Sequence, residues 1–272
     1  MTLSMAGFAI EDLFLKQAAR QMPVGQVMLI MGLCGMAVFA LMARRAGQVA
    51  LPRAILSRAM LIRSCCEVAG RLFHALAIAL TTLSATSAIL QATPLVVVAG
   101  AALLFGEKVT AGRWVAVGLG FLGVLLILKP GVEGFSALSL LAVAGTLGFA
   151  GRDLATRAAP KGLSNRQLGV LGFAMLAVAG ALILGWTGGA HLPDAQGALL
   201  IAATTGFGIA GYHALTAAMR TGDVSAVTPF RYTRLIFALV LAVLVLGERP
   251  DALTLAGAAL IVAAGLFGLT RR

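Results

Sequence analysis

Two halves of this chain repeat each other without a gap at an offset of 141 residues, and each half holds five apolar runs long enough to cross a bilayer. Asp12 falls on Asp153 (153 − 12 = 141), Lys16 on Arg157, Gln26 on Gln167 and Ser84 on Ser225. In the same register the tripeptide Gly106-Glu107-Lys108 falls on Gly247-Glu248-Arg249. A unit that crosses the membrane an odd number of times delivers the next unit to the opposite side, so the second copy enters upside down. Inverted repeats of this kind enclose a site near the bilayer midplane. The expected fold class is an all-α membrane protein of ten transmembrane helices, arranged as two inverted five-helix repeats over residues 1–135 and 136–272.

The composition excludes a soluble domain. Charged residues make up 11% of the chain, hydrophobic residues 60%, and the mean hydropathy is +0.98, whereas about a quarter of a soluble domain is charged. A formal charge of +11 raises the question of nucleic acid. The basic residues lie between apolar runs, however, where they act as topology signals rather than as a binding face, so no nucleic-acid partner is expected. Cys34, Cys65 and Cys66 sit inside apolar runs without metal-ligand spacing, so neither a metal nor a cofactor is expected. Glu11, Asp12 and Lys16 follow the opening apolar run with no small-residue cleavage site, and the first span is therefore expected to be retained.

Runs bounded by charge, Pro or Gly place spans at 2–19, 23–43, 59–80, 84–105 and 112–129, then at 136–156, 167–187, 197–218, 223–246 and 252–270. With the amino terminus inside, the cytoplasmic loops collect Arg44, Arg45, Arg53, Arg58, Lys108, Arg113, Arg157, Lys161, Arg166, Arg220, Arg271 and Arg272, while Arg20, Lys129 and Arg249 lie outside. Short cytoplasmic loops favour Lys and Arg, so both termini are expected in the cytoplasm.

Gln91, Thr93 and Pro94 interrupt the fourth apolar run, and Thr228-Pro229 stands early in the ninth. Proline removes an intrahelical hydrogen bond and frees a carbonyl; in lipid such a break survives only where protein or a water-filled cavity satisfies the exposed backbone. The stretch Ala75 to Lys108, ALAIALTTLSATSAILQATPLVVVAGAALLFGEK, resembles the hallmark of the drug/metabolite transporter superfamily in its ten-span EamA family. The segment Pro229 to Ala264 is similar to that family's second copy. The resemblance covers essentially the whole chain. It implies a ten-helix fold with alternating access and a central cavity lined mainly by spans 1, 3, 4, 6, 8 and 9.

Charged groups within apolar runs cost on the order of 2.5–3.5 kcal/mol each at the bilayer centre and usually face a bundle interior. In the third span Arg63, Glu67, Arg71 and His74 share one helical stripe. Asp12 and Lys16 in the first span are four apart and can pair along one face, as can Asp153 and Arg157 in the sixth. Glu11 and Arg152 occupy matching positions with opposite charges, which suits an asymmetric solute site or an ion pair between the repeats. Arg231 and Arg234 flank Tyr232 in the ninth span and align with Leu90 and Thr93, so the repeat does not require them. Two guanidinium forks three residues apart suit one carboxylate or phosphate.

The candidate substrate-binding set is therefore Glu67, Arg71, His74, Gln91, Tyr212, Arg231, Tyr232 and Arg234, with Asp12, Lys16, Arg152 and Asp153 as coupling or ion-pair residues. The Gly-Glu-Lys and Gly-Glu-Arg turns read as structural, each acid capping the helix that follows it. Gly118, Gly120, Gly123, Gly257 and Gly265 suit close helix packing or a homodimer.

Within the membrane, Lys16, Arg71, Arg152, Arg231 and Arg234 exceed Glu11, Asp12, Glu67 and Asp153 by one, which favours a zwitterionic or anionic solute. The expected function is secondary transport of a small polar organic solute across a bacterial inner membrane, with membrane lipid around the protein and proton coupling open through the carboxylates. The alternative is an intramembrane enzyme acting on lipid, with Cys65, Cys66, His74 and His213 as its candidate groups.

Overall fold

Within a bilayer every backbone N–H and C=O must find its partner inside the protein, which leaves the α-helix as the natural element for apolar runs of this length. The computed structural model describes residues 1–106, 109–129, 136–157, 162–220 and 228–270, without the side chains of Phe105, Arg113, Arg157, Thr216, Met219, Arg220, Thr228, Pro229, Leu269 and Thr270. Glu107, Lys108, Lys161, Ser225, Arg271 and Arg272, and the side chains of Arg113, Arg157 and Arg220, thus lie outside the described residues.

The first half contains α1 (Thr2–Ala18), α2 (Val24–Arg45), α3 (Arg58–Leu80), α4 (Leu83–Leu90), α5 (Thr93–Phe105) and α6 (Ala111–Leu128). The second contains α7 (Leu140–Arg157), α8 (Asn165–Thr187), α9 (Ala195–Arg220), a 3-10 helix at Thr228–Tyr232, α10 (Thr233–Leu244) and α11 (Ala252–Thr270). No strand occurs among the described residues. The segments Val24–Arg45, Leu83–Leu104, Ala137–Thr156, Asn165–Thr187 and Ala195–Leu215 are each long and apolar enough to cross a membrane. Trp114–Leu128 and Ala252–Gly268 are apolar but shorter. The helices α1 and α3 carry too many charges to read as apolar, and most of those charges point inward.

Helix ends follow local chemistry. At the start of α8, Ser164 Oγ accepts from Gln167 N at 3.2 Å while Gln167 Oε1 accepts from Ser164 N at 2.9 Å, a capping box. Asp194 caps α9 through Gly197 N at 2.7 Å, and Asp251 caps α11 through Thr254 N at 3.0 Å. The Asp251 carboxylate also bridges to Lys129 at the end of α6. Lys129 first, and Thr254 after it, draw the Asp251 pKa down from 3.8 to about 2. Helix α5 ends on Gly106, whose left-handed φ of 64° a side chain would strain.

The fourth span breaks between α4 and α5 at Gln91 and Ala92. Pro94 stands in the first turn of α5, where it has no N–H to offer Leu90 O. The Thr93 hydroxyl takes that carbonyl instead, at 2.5 Å.

The helices pack as pairs drawn from opposite halves: α1 with α9, α3 with α7, α2 with α8, and α6 with α11. Helix α10 leans on α1 and α4, and α5 leans on α7. Small residues set these approaches. A Cβ on Gly148 would lie 2.5 Å from Gly70 N, one on Gly7 3.1 Å from Gly211 Cα, and one on Gly32 2.4 Å from Ala177 N.

At one end of the bundle, two sequence-based expectations are corrected. Glu248 does not cap the helix after its turn; Asp251 does that. The Glu248 carboxylate reaches into the other half and caps α4, accepting from Leu83 N at 2.7 Å, Ser84 N at 3.0 Å and Ser84 Oγ at 2.8 Å. The backbone donors of a helix start attract an anion strongly, and the start of α11 is already capped by Asp251. Lys16 does not pair with Asp12, four residues away. Its Nζ lies 3.9 Å from Glu248 Oε1 and donates to Ile78 O at 3.0 Å and to Thr81 O, the open carbonyls at the end of α3.

Candidate functional site

The spacing of α1 places Met5, Phe8, Glu11, Asp12 and Leu15 on one stripe, and that stripe forms one wall of a cavity of about 120 Å³ at the centre of the bundle. Arg71 and His74 of α3 and Gln91 and Thr93 at the α4–α5 break form the next walls. Phe149 and Arg152 of α7, Tyr212 of α9, and Arg231, Tyr232 and Arg234 around the start of α10 complete it. Both halves of the chain contribute, and the discontinuous fourth span supplies a lining edge rather than a lipid-facing kink.

The charges of the wall are paired unevenly. Arg234 Nη2 donates to Asp12 Oδ2 at 2.5 Å, and His74 Nε2 lies 3.5 Å from Asp12 Oδ1. Arg152 donates to one oxygen of its neighbour Asp153, Oδ1, through Nη2 at 2.8 Å and Nε at 2.9 Å. Arg71 reaches Glu11 only at 3.8 Å, and Arg231 reaches Asp153 only at 4.0 Å. Two aromatic faces carry the guanidinium planes: Arg152 and Arg71 lie 5.0 and 5.9 Å from the Phe149 ring centre, and Arg234 lies 5.3 Å from that of Phe8. The Nε of Arg234 and both ring nitrogens of His74 are buried without a hydrogen-bond partner among the described residues.

Of the residues singled out from sequence, Arg71, His74, Gln91, Tyr212, Arg231, Tyr232, Arg234, Asp12 and Arg152 line this cavity together. Glu67 does not. It is 2% exposed, behind the wall, among Arg63 at 3.2 Å and Arg71 and Arg152 each at 3.4 Å. The Arg63 contact lacks hydrogen-bond alignment, so it acts by charge alone. Asp153 stands beside the wall as the counter-ion of Arg152, and Lys16 is tied to the bundle end with Glu248.

The groups considered for enzyme chemistry do not converge. Cys65 is exposed, Cys66 is half-buried against α7 near Gly151, and His213 lines a separate recess with Phe39 and Ser164. No cluster of metal-ligating side chains occurs among the described residues.

Sequence reasoning missed the aromatic platforms, although the repeat marks them: Phe149 and Phe8 are 141 apart (149 − 8 = 141) within Gly-Phe-Ala at 7–9 and 148–150. Glu11 was legible only as a matched position. Its side chain packs over Gly208, where a Cβ would meet the Glu11 carboxyl carbon at 3.1 Å.

The profile of the EamA-like transporter family matches this chain twice, at residues 1–129 and at 136–270. The chain belongs to the EamA-like transporter family. It is a multi-pass membrane protein. A riboflavin transporter of Rhizobium johnstonii is 31% identical over 182 residues, 66% of this chain and 59% of that protein. The matched region thus spans about three fifths of the riboflavin transporter's length. A pseudopaline exporter of Pseudomonas aeruginosa is 28% identical over 265 residues, 94% of this chain and 90% of its own. An S-adenosylmethionine uptake transporter of Rickettsia bellii is 26% identical over 174 residues, 64% of this chain and 59% of its own. A crystal structure that is 19% identical covers 100% of this EamA chain and 99% of its own with a TM-score of 0.63, which shows the shared fold.

Proposed function

We propose that this protein is a secondary transporter that moves a small polar organic solute across a bacterial inner membrane by alternating access. In this reading it is built as two inverted five-helix repeats, residues 1–135 and 136–272, with both termini in the cytoplasm. The observation that carries it is the central cavity, where polar groups from both halves meet inside an apolar bundle. Those groups include the guanidiniums of Arg71, Arg152, Arg231 and Arg234, the Gln91 amide and the Tyr212 hydroxyl, which a polar guest could meet inside the bundle.

Helix pairing supports the repeat. An offset of 141 exchanges the α1–α9 pair with the α7–α3 pair and returns α2–α8 and α6–α11 to themselves. The glycine contact Gly7–Gly211 corresponds to Gly148–Gly70 (148 − 7 = 141; 211 − 70 = 141). Relatives named for riboflavin, S-adenosylmethionine and pseudopaline support a small organic solute, and their names include both uptake and export.

The test is counterflow in proteoliposomes across a panel of labelled organic acids, amino acids, nucleotides and vitamins, with and without a pH gradient. Saturable exchange of at least one compound is expected. A folded, oriented protein that exchanges none of them would refute the reading.

A further inference from the structure

Among the described residues the charges around the central cavity are not balanced. Four guanidiniums, of Arg63, Arg71, Arg152 and Arg231, are joined by ion pairs to three carboxylates, of Glu11, Glu67 and Asp153, while Arg234 and Asp12 form a separate pair beside His74. The sequence-level count also gives one extra cation, but with other members. Lys16 leaves the cluster for Glu248, and Arg63 enters it through Glu67.

Geometry identifies which cation is in excess. Asp12 holds Arg234 at 2.5 Å, Asp153 holds Arg152 at 2.8 Å, and Glu67 holds Arg63 at 3.2 Å and Arg71 at 3.4 Å. Among the described residues Arg231 has only the far oxygen of Asp153, at 4.0 Å, and its side chain is the most exposed of the five guanidiniums at 33%. Its backbone, by contrast, is fixed. Gln91 Nε2 donates to Arg231 O at 3.0 Å, and the next residue, Tyr232, is buried against Gly265. A guanidinium held at its root and loose at its tip, in the wall of a cavity, is arranged to receive an anion.

Charge and size then narrow the guest. A phosphate monoester carries close to two negative charges near neutral pH and would overcompensate a single excess cation. A zwitterion would leave that cation unbalanced. A carboxylate matches both the unit charge and the planar fork of arginine. An engineered apolar cavity of about 150 Å³ holds one benzene, so the present 120 Å³ suits a solute of about one ring rather than a flavin or a nucleotide.

We propose that the cavity binds small organic monocarboxylates of net charge −1, with the carboxylate seated on Arg231. This rests on the reading of the cavity as a solute site and deepens it.

The experiment measures binding to the purified full-length protein in nanodiscs by calorimetry. The probes are pyruvate, lactate, hexanoate and benzoate, each compared with its own amide, alongside phenyl phosphate and phenylalanine. At least one carboxylate is expected to bind tenfold or more tightly than its amide and than both comparison compounds. Arg231→Gln should lose that tenfold preference at unchanged melting temperature, and Arg231→Lys should recover only part of it.

Three results would overturn the proposal: no carboxylate preferred over its amide, tighter binding of phenyl phosphate or phenylalanine, or a preference retained in folded Arg231→Gln. If Arg231→Gln does not fold, Arg231→Lys and the wild-type probe series decide the matter alone. Counterflow with the same probes separates the two claims. A carboxylate that binds but never exchanges counts against transport, whereas exchange of phenylalanine with no carboxylate binding counts against this inference only.

Discussion

Glu67 lies behind the cavity wall rather than in it. Its carboxylate is enclosed by three guanidiniums from α3 and α7, two of which, Arg71 and Arg152, line the cavity. Removing one partner of a buried ion cluster costs about 3–5 kcal/mol, because the remaining charges are left uncompensated. Glu67→Gln is therefore expected to lower the melting temperature sharply, in contrast to Arg231→Gln. A Glu67→Gln protein that melts like wild type but has lost its solute would instead place Glu67 in contact with the ligand. The sequence shows which residues are charged and which share a face. It does not reveal which of two neighbours on one stripe faces inward, since Glu67 and Arg71 differ there only by the lean of α3 against α7. Arg231 and Arg234 were legible because the repeat does not call for them.

At the scale of the helices, close approach is set by glycine, and the two crossings related by the repeat are not equally tight. A methyl on Gly148 would meet backbone of α3 at 2.5 Å, whereas one on Gly7 would meet Gly211 Cα at 3.1 Å. Backbone cannot step aside as a side chain can, so Gly148→Ala should cost about 1–3 kcal/mol by overpacking and Gly7→Ala clearly less. Thermal unfolding of the two single variants checks the order, and equal losses would show that the crossings relax alike. Among the described residues periodicity and composition placed the long helices near where they lie, including the break before Thr93, whereas the span expected at 223–246 shows a 3-10 helix at Thr228–Tyr232 and continues as α10 only from Thr233. The partner of Glu248 was not legible, because a cap supplied from the opposite half depends on the folded arrangement and not on neighbouring sequence.

For the whole molecule, the distribution of Lys and Arg predicts a single orientation. A reporter active only in the periplasm is expected to be silent after Thr270 and active when inserted at Gly189, between α8 and α9; the opposite pattern would reverse the proposed topology. The fold could be inferred from sequence because lipid allows so few solutions to an apolar run. The excess of one cation could be counted from sequence, but the pairing that leaves Arg231 loosely held could not, since it depends on contacts between the halves. The Arg152–Glu67 contact between the halves corresponds under the repeat to the contact of Glu11 over Gly208 (152 − 11 = 141; 208 − 67 = 141), and Arg71 corresponds to Tyr212 (212 − 71 = 141). On the inverted-repeat reading, two identical halves would give an inward-open and an outward-open form of equal energy, because swapping the halves turns one into the other. These unmatched charges remove that degeneracy. A difference of only about 1.4 kcal/mol would hold ten empty molecules open to one side for every one open to the other, so on that reading a few side chains, and not the scaffold, would set the resting direction.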